Sequence, residues 1–137
     1  MKKVLGLLML VLLSCSSLPV KTDCEKLQIC LNSDAFLDFF SLKQRSFPGG
    51  VLYDASEQFH NCTEFNVRGA VIKRHAFNGE ININNARINK DDKMILTKIE
   101  KSKNKIYFTF YSAGTNSVLV LRVDNNNHVT VNSSGQF

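Results

Sequence analysis

The run Ile106-Tyr107-Phe108-Thr109-Phe110-Tyr111 decides the fold, together with Val118-Leu119-Val120-Leu121-Arg122-Val123, which follows after Ala113-Gly114-Thr115-Asn116. Both runs are of strand length and rich in β-branched or aromatic residues, and the segment between them is turn chemistry. Alternation assigns the faces of the first run. Ile106, Phe108 and Phe110 share one side, and Tyr107, Thr109 and Tyr111 share the other. The second run is apolar on both sides, because Val118 and Val120 oppose Leu119 and Leu121. That pattern predicts a strand covered on both faces, or a sheet curved toward a barrel.

The same reading extends in both directions. Lys101-Ser102-Lys103-Asn104 separates Met94-Ile95-Leu96 from Ile106, which makes a hairpin with a basic tip. Asp124-Asn125-Asn126-Asn127 turns into His128-Val129-Thr130-Val131. Farther upstream, Phe65–His75, Glu80–Asn89 and Lys93–Glu100 read as strands, with turn signals at Asn78-Gly79 and Lys90-Asp91-Asp92. Short strands at regular spacing predict an antiparallel meander. Before Gly50 the period changes. Ser33 is placed to cap a helix, Asp34 suits its positive end, and Phe36, Phe39, Phe40 and Lys43 follow at helical spacing. Pro48-Gly49-Gly50 is the expected stop. The predicted fold class is α+β, one N-terminal helix packed on an antiparallel β-meander, with a small β-barrel as the alternative.

Composition sets the outer bounds. A chain of 137 residues with 44% apolar and 21% charged residues is a globular protein with room for one domain. Its two prolines and seven glycines are too few for a long low-complexity linker. Fourteen asparagines are unusual. Asn82, Asn84, Asn85 and Asn89 could offer a polar strand face to sugars. The commoner reading is turn-filling Asn in a chain from an AT-rich genome.

The beginning of the chain carries an address. Lys2 and Lys3 precede the apolar run Val4–Leu13, which is half the roughly 20 residues a bilayer-spanning helix needs and fits the core of a secretory signal. Leu12-Leu13-Ser14-Cys15 resembles the lipobox of bacterial lipoproteins: an aliphatic residue, a tolerant position, a small residue, then cysteine. The resemblance covers only this leader. It implies a signal peptide over residues 1–14, a lipid-modified Cys15 as the first mature residue, a tether over 15–23 and one globular domain over 24–137. In enteric lipoproteins Asp after the cysteine goes with retention in the inner membrane, so the resemblance with Ser16 at that position implies an outer-membrane address facing the periplasm. Two or more acyl chains hold a protein on a membrane stably. The rival reading is ordinary signal cleavage near Ser14 to Ser17, releasing a soluble exported protein. Loss of residues 1–14 removes two lysines and no acid, leaving a mature net charge of +3. That mild balance, without basic residues clustered among aromatics, does not describe a nucleic-acid-binding protein.

Export also governs the cysteines. With Cys15 lipidated, Cys24, Cys30 and Cys62 remain, enough for one internal bridge. If 24–30 were helical, a Cys24–Cys30 bond would have to span about 9 Å of rise, too far for a disulfide, whereas an irregular loop would permit it. A bond from either cysteine to Cys62 would staple the N-terminal segment to the body, and Cys30–Cys62 is slightly preferred. His60 and Cys62 would share one side of a strand as a ligand pair requires, but they fall short of a complete zinc set. No metal or cofactor is expected.

The remaining chemistry is sparse. His60, His75 and His128 are the histidines, and none stands in a GxSxG, HExxH, phosphate-loop or EF-hand pattern. His75 and His128 read as surface residues, and Asp91-Asp92 as solvated turn acids. Asn61-Cys62-Thr63 and Asn132-Ser133-Ser134 match the glycosylation pattern, which carries no expectation in a bacterial lipoprotein. No catalytic residue is assigned. Three functional classes follow: an envelope lipoprotein that binds a protein or cell-wall partner, a small inhibitor or immunity protein against an exported toxin or lysozyme, and a small periplasmic hydrolase. The first is the expected one. Its partner surface is sought at the hairpin tip, where Lys98, Lys101, Lys103 and Lys105 surround Glu100.

Overall fold

The computed structural model describes residues 22–43, 47–59, 61–77 and 94–137. Residues 1–21, which hold the leader, Cys15 and the expected tether except Thr22 and Asp23, lie outside the described residues, as do His60, the Glu80–Asn89 run with its asparagines and Asp91-Asp92. The described chain is α+β, with two short helices, α1 (Asp23–Leu31) and α2 (Asp34–Phe39), ahead of seven strands. These are β1 (Gly50–Asp54), β2 (Glu64–Val67), β3 (Ala70–Ala76), β4 (Met94–Ser102), β5 (Lys105–Ser112), β6 (Ser117–Asp124) and β7 (Val129–Gln136).

The helix α1 was not anticipated, although its start is written in Thr22-Asp23-Cys24-Glu25. The Glu25 amide donates to Thr22 Oγ1, and the Thr22 amide donates back to Glu25 Oε2 at 3.0 Å, a reciprocal capping box. Leu27, Cys30 and Leu31, at helical spacing, are buried. Ser33 caps α2 as expected, with Oγ accepting from the Phe36 amide at 3.3 Å. The end of α2 differs from the expectation. Ser41 adopts φ +55, its amide donates to Asp38 O, and the Leu42 amide donates to Leu37 O at 2.8 Å. This is a Schellman closure, and it stops the helix well before Pro48.

All seven strands form one sheet in the order β2-β3-β1-β4-β5-β6-β7. From β4 onward it is the antiparallel meander the sequence predicts. The rest corrects that reading in two places. Strand β1 is parallel to both β3 and β4, so the sheet is mixed. The run Phe65–His75 is two antiparallel strands rather than one, joined through Arg68 and Gly69 at φ +50 and +80. Positive φ at both central residues is a type I′ hairpin, usually signalled by Asn-Gly, and Arg-Gly hid it. Among the described residues β2 and β7 are the two ends of an open sheet, not neighbours in a closed barrel.

One face of the sheet carries the core. Leu27, Leu31 and Phe36 of the helices cluster with Leu52, Ile72, Leu96, Phe108, Phe110, Leu121 and Val123. The Phe36 ring meets Phe110 edge-on at 5.0 Å between centroids. Ile106, Phe108 and Phe110 share this face as their alternation predicted, with Ile106 partly buried. In β6, Leu119, Leu121 and Val123 are buried while Val118 and Val120 are half-buried, so the two faces of this strand are covered unequally. On the opposite face Ile95 and Tyr111 are buried as directly paired neighbours.

Candidate functional site

The described concavity nearest to a binding site is an open groove of about 510 Å³ between α1 and the start of β2. The Cys24–Cys62 disulfide, whose Cα atoms are 6.0 Å apart, lies in its lining. Glu25, Gln28, Glu64 and Phe65 line its sides. The pairing corrects the preference for Cys30. On a helix, six residues put Cys24 and Cys30 about 120° apart around the axis, so the two thiols cannot face one target. Cys24 looks toward the chain before β2, whereas Cys30 is fully buried among Leu27, Leu31 and their neighbours and is free. Burial pushes the Cys30 thiol well above its ordinary pKa, which suppresses the reactive thiolate.

Through Gln28, a lining residue, α1 also exchanges hydrogen bonds with the outer edge of β2. The Asn66 amide donates to Gln28 Oε1 at 2.9 Å, and Gln28 Nε2 donates to the Asn66 carbonyl. Asn32, one turn later, donates to the same carbonyl at 2.8 Å and accepts from the Arg68 amide at 3.4 Å. Two side chains spaced by four residues thus act as a short surrogate strand. Beside Glu64 the groove is lined by carboxylates, an amide and a phenyl ring, which suits hydrogen-bond donors on a ligand. Glu25 already spends one oxygen on the helix cap.

Other polar side chains are committed to holding the fold. Asp54, at the end of β1, accepts from the Ser56 amide and hydroxyl through Oδ1 and from Arg74 Nε at 2.9 Å through Oδ2. Its side chain is 1% exposed and that of Arg74 11%. Burial by itself would raise the Asp54 carboxyl. The hydrogen bonds from Ser56 and Arg74, with the Arg74 charge, outweigh it and hold the carboxyl below its ordinary value. Lys26 is nearly buried on α1 and donates from Nζ to Asp124 O and Asn127 Oδ1, both at 2.8 Å, clasping the β6–β7 turn. The same turn is tied by Asp124 Oδ1, which accepts from the Asn126 and His128 amides at 2.8 and 2.9 Å. Led by the His128 amide bond, these contacts lower the Asp124 carboxyl.

The four lysines of the β4–β5 hairpin do not form one surface. Lys98 pairs with Glu100 at 2.5 Å, and Lys101 pairs with Asp23 in the first turn of α1. In the ladder Lys98 opposes Thr109 while Lys101 opposes Ile106, which places the two on different faces of the sheet. Of these four lysines, Lys103 and Lys105, at and beside the turn, carry no ion pair among the described residues. His75 is exposed on β3 with its ring 6.2 Å from that of Tyr53. His128 is on the surface, its Nδ1 3.4 Å from Asp124 Oδ2. The structure brings neither beside the groove. Among the described residues no group of three or more His, Cys, Asp or Glu is arranged to hold a metal ion.

Sequence reasoning missed Gln28, Asn32 and Lys26, because nothing in a linear pattern announces which strand edge or turn a helix will meet. Compared with protein-family models, with curated proteins and with solved structures, the chain has no match.

Proposed function

We propose that this protein is an exported, lipid-anchored binding module that works at a cell envelope without catalysing a reaction. The observation that carries the reading is the Cys24–Cys62 disulfide. Disulfides persist in oxidising compartments, and this one agrees with the lipobox-like Leu12-Leu13-Ser14-Cys15. It also has a mechanical consequence. The nine residues from Cys15 to Cys24 reach at most about 30 Å, and the bridge then fixes the end of that tether to the body of the domain at the start of β2. A lipid on Cys15 would therefore hold the groove and the β2 edge close to the membrane. Tethering of this kind raises the effective concentration of a docking surface without adding contacts.

The partner is an envelope protein or a cell-wall component. Lys103 and Lys105 are the lysines of the hairpin free to meet an acidic group on it, whereas Lys101 serves α1 through Asp23. Reversing Lys103 and Lys105 to Glu is expected to weaken capture of such a partner at low salt and leave stability unchanged. Equal capture by the variant would remove the tip from the binding surface.

Intact mass of membrane-extracted protein tests the anchor. It should show a chain beginning at Cys15 with added acyl mass, and Cys15→Ala should abolish both the acyl mass and membrane retention. Normal processing and retention of that variant would refute the lipid anchor. Turnover of an envelope substrate lost on replacing His60, His75 or His128 would overturn the non-catalytic reading.

A further inference from the structure

We infer that β7 is an interface strand through which two copies of this chain pair antiparallel, edge to edge, about a two-fold axis. The two ends of the sheet differ. At β2 the outward groups of Asn66 are bonded by Gln28 and Asn32. At β7 no described residue bonds the outward backbone groups. The Phe137 amide donates to Asn116 O at 3.0 Å. Antiparallel ladders alternate bonded and unbonded pairs, so Gly135 bonds Val118 while Ser134 and Gln136 turn their N–H and C=O groups outward.

Among the described residues the strand lacks most of the usual guards. Open edges in monomers carry charges, prolines or a covering element. From Val129 to Gln136 there is no charged residue and no proline, and every residue from Thr130 to Phe137 is exposed. Three large apolar side chains are exposed among the described residues. Two of them, Val131 at 52% and Phe137 at 64%, belong to this strand or follow it directly. One edge-bending device is present: Leu121 opposes Val131 and Val120 opposes Ser133, which leaves Asn132 as a bulge. It precedes Ser133–Gln136 and leaves that half of the strand regular, so the axis passes there.

A second copy is the occupant this edge fits. Two-fold pairing presents identical donor and acceptor rows to each other, and a neutral strand meets its own copy without like-charge repulsion. The charged neighbours include Arg122, bonded to Thr130 Oγ1 at 3.0 Å, and, at the turn before the strand, Asp124 with the Lys26 ammonium that clasps it. All three flank the N-terminal half of β7, and antiparallel pairing carries the two copies of each to opposite ends of the interface. A charged foreign peptide would find nothing on this strand to select it.

Sedimentation equilibrium and amide exchange on the full-length chain in detergent test the inference. The expected result is a dimer in which the Ser134 and Gln136 amides exchange about tenfold more slowly than after dilution to monomer. Ser134→Pro removes only an outward N–H, so the β6–β7 ladder should survive while dimerisation weakens about tenfold or more. Ser134→Lys, which sets two cations near the axis, should weaken it likewise and carries the test if the proline variant misfolds. A monomer at every concentration would overturn the inference, as would a dimer insensitive to the variants. So would β7 amides protected only on adding a peptide from another protein.

Discussion

Ser41 closes α2 in the left-handed region at φ +55, a conformation that costs a residue with a Cβ and is free for glycine. Its side chain has no hydrogen bond among the described residues, so Ser41→Gly should raise stability by about 0.5–1 kcal/mol in urea denaturation. A loss of stability would show that the hydroxyl matters more than the backbone. Asp54 tests electrostatics at the same scale. Its carboxyl is lowered on folding, so its contribution is complete above the unfolded-state carboxylate pKa and disappears as pH falls through the folded value. Between about pH 7 and about pH 3 the wild type should lose more stability than Asp54→Asn. Parallel pH curves would remove the linkage. Arg74→Ala, which leaves a carboxylate buried without its cation, should cost about 3 kcal/mol at neutral pH.

At the scale of elements, α1 does more than contribute apolar side chains to the core. Gln28 and Asn32 satisfy the outer edge of β2, and Lys26 reaches the turn beyond β6, so one helix ties two distant parts of the sheet. Gln28→Ala should therefore leave the core in place and expose the edge. Amide exchange at Asn66 should quicken about tenfold or more while Phe65 and Val67 change little, since their amides face β3. Uniform quickening across β2 and β3 would mean instead that Gln28 supports the whole hairpin. The capping box at Thr22-Asp23-Cys24-Glu25 was legible in the sequence as a helix start. The docking partners of that helix were not, because polar side chains on a helix name no target until the sheet is assembled.

For the whole molecule the disulfide is the largest single constraint. It closes 38 residues, which the chain-entropy model values at about 4 kcal/mol. Replacing both Cys24 and Cys62 by Ser should reduce stability by about 2–4 kcal/mol by urea denaturation. In the intact protein Cys30 should resist alkylation under native conditions and react only after unfolding, because its thiol is buried and its pKa raised. Native reactivity at Cys30 would contradict the packing of α1.

The sequence by itself determined the elements whose evidence is local. The β4–β7 meander followed from alternating apolar runs and turn residues, the core side of Ile106, Phe108 and Phe110 from period-two spacing, and the cap at Ser33 from its position before a helical stripe. Tertiary structure decided what depends on approach between distant segments. Parallel insertion of Gly50–Asp54 between β3 and β4 leaves no mark in so short a run. The choice of Cys24 over Cys30 needed the angular position of each thiol on a helix whose extent was unknown. The division of the hairpin lysines needed the face each side chain takes and the arrival of Asp23 beside Lys101. Local periodicity fixes which face of an element turns inward. It carries no term for which partner arrives there.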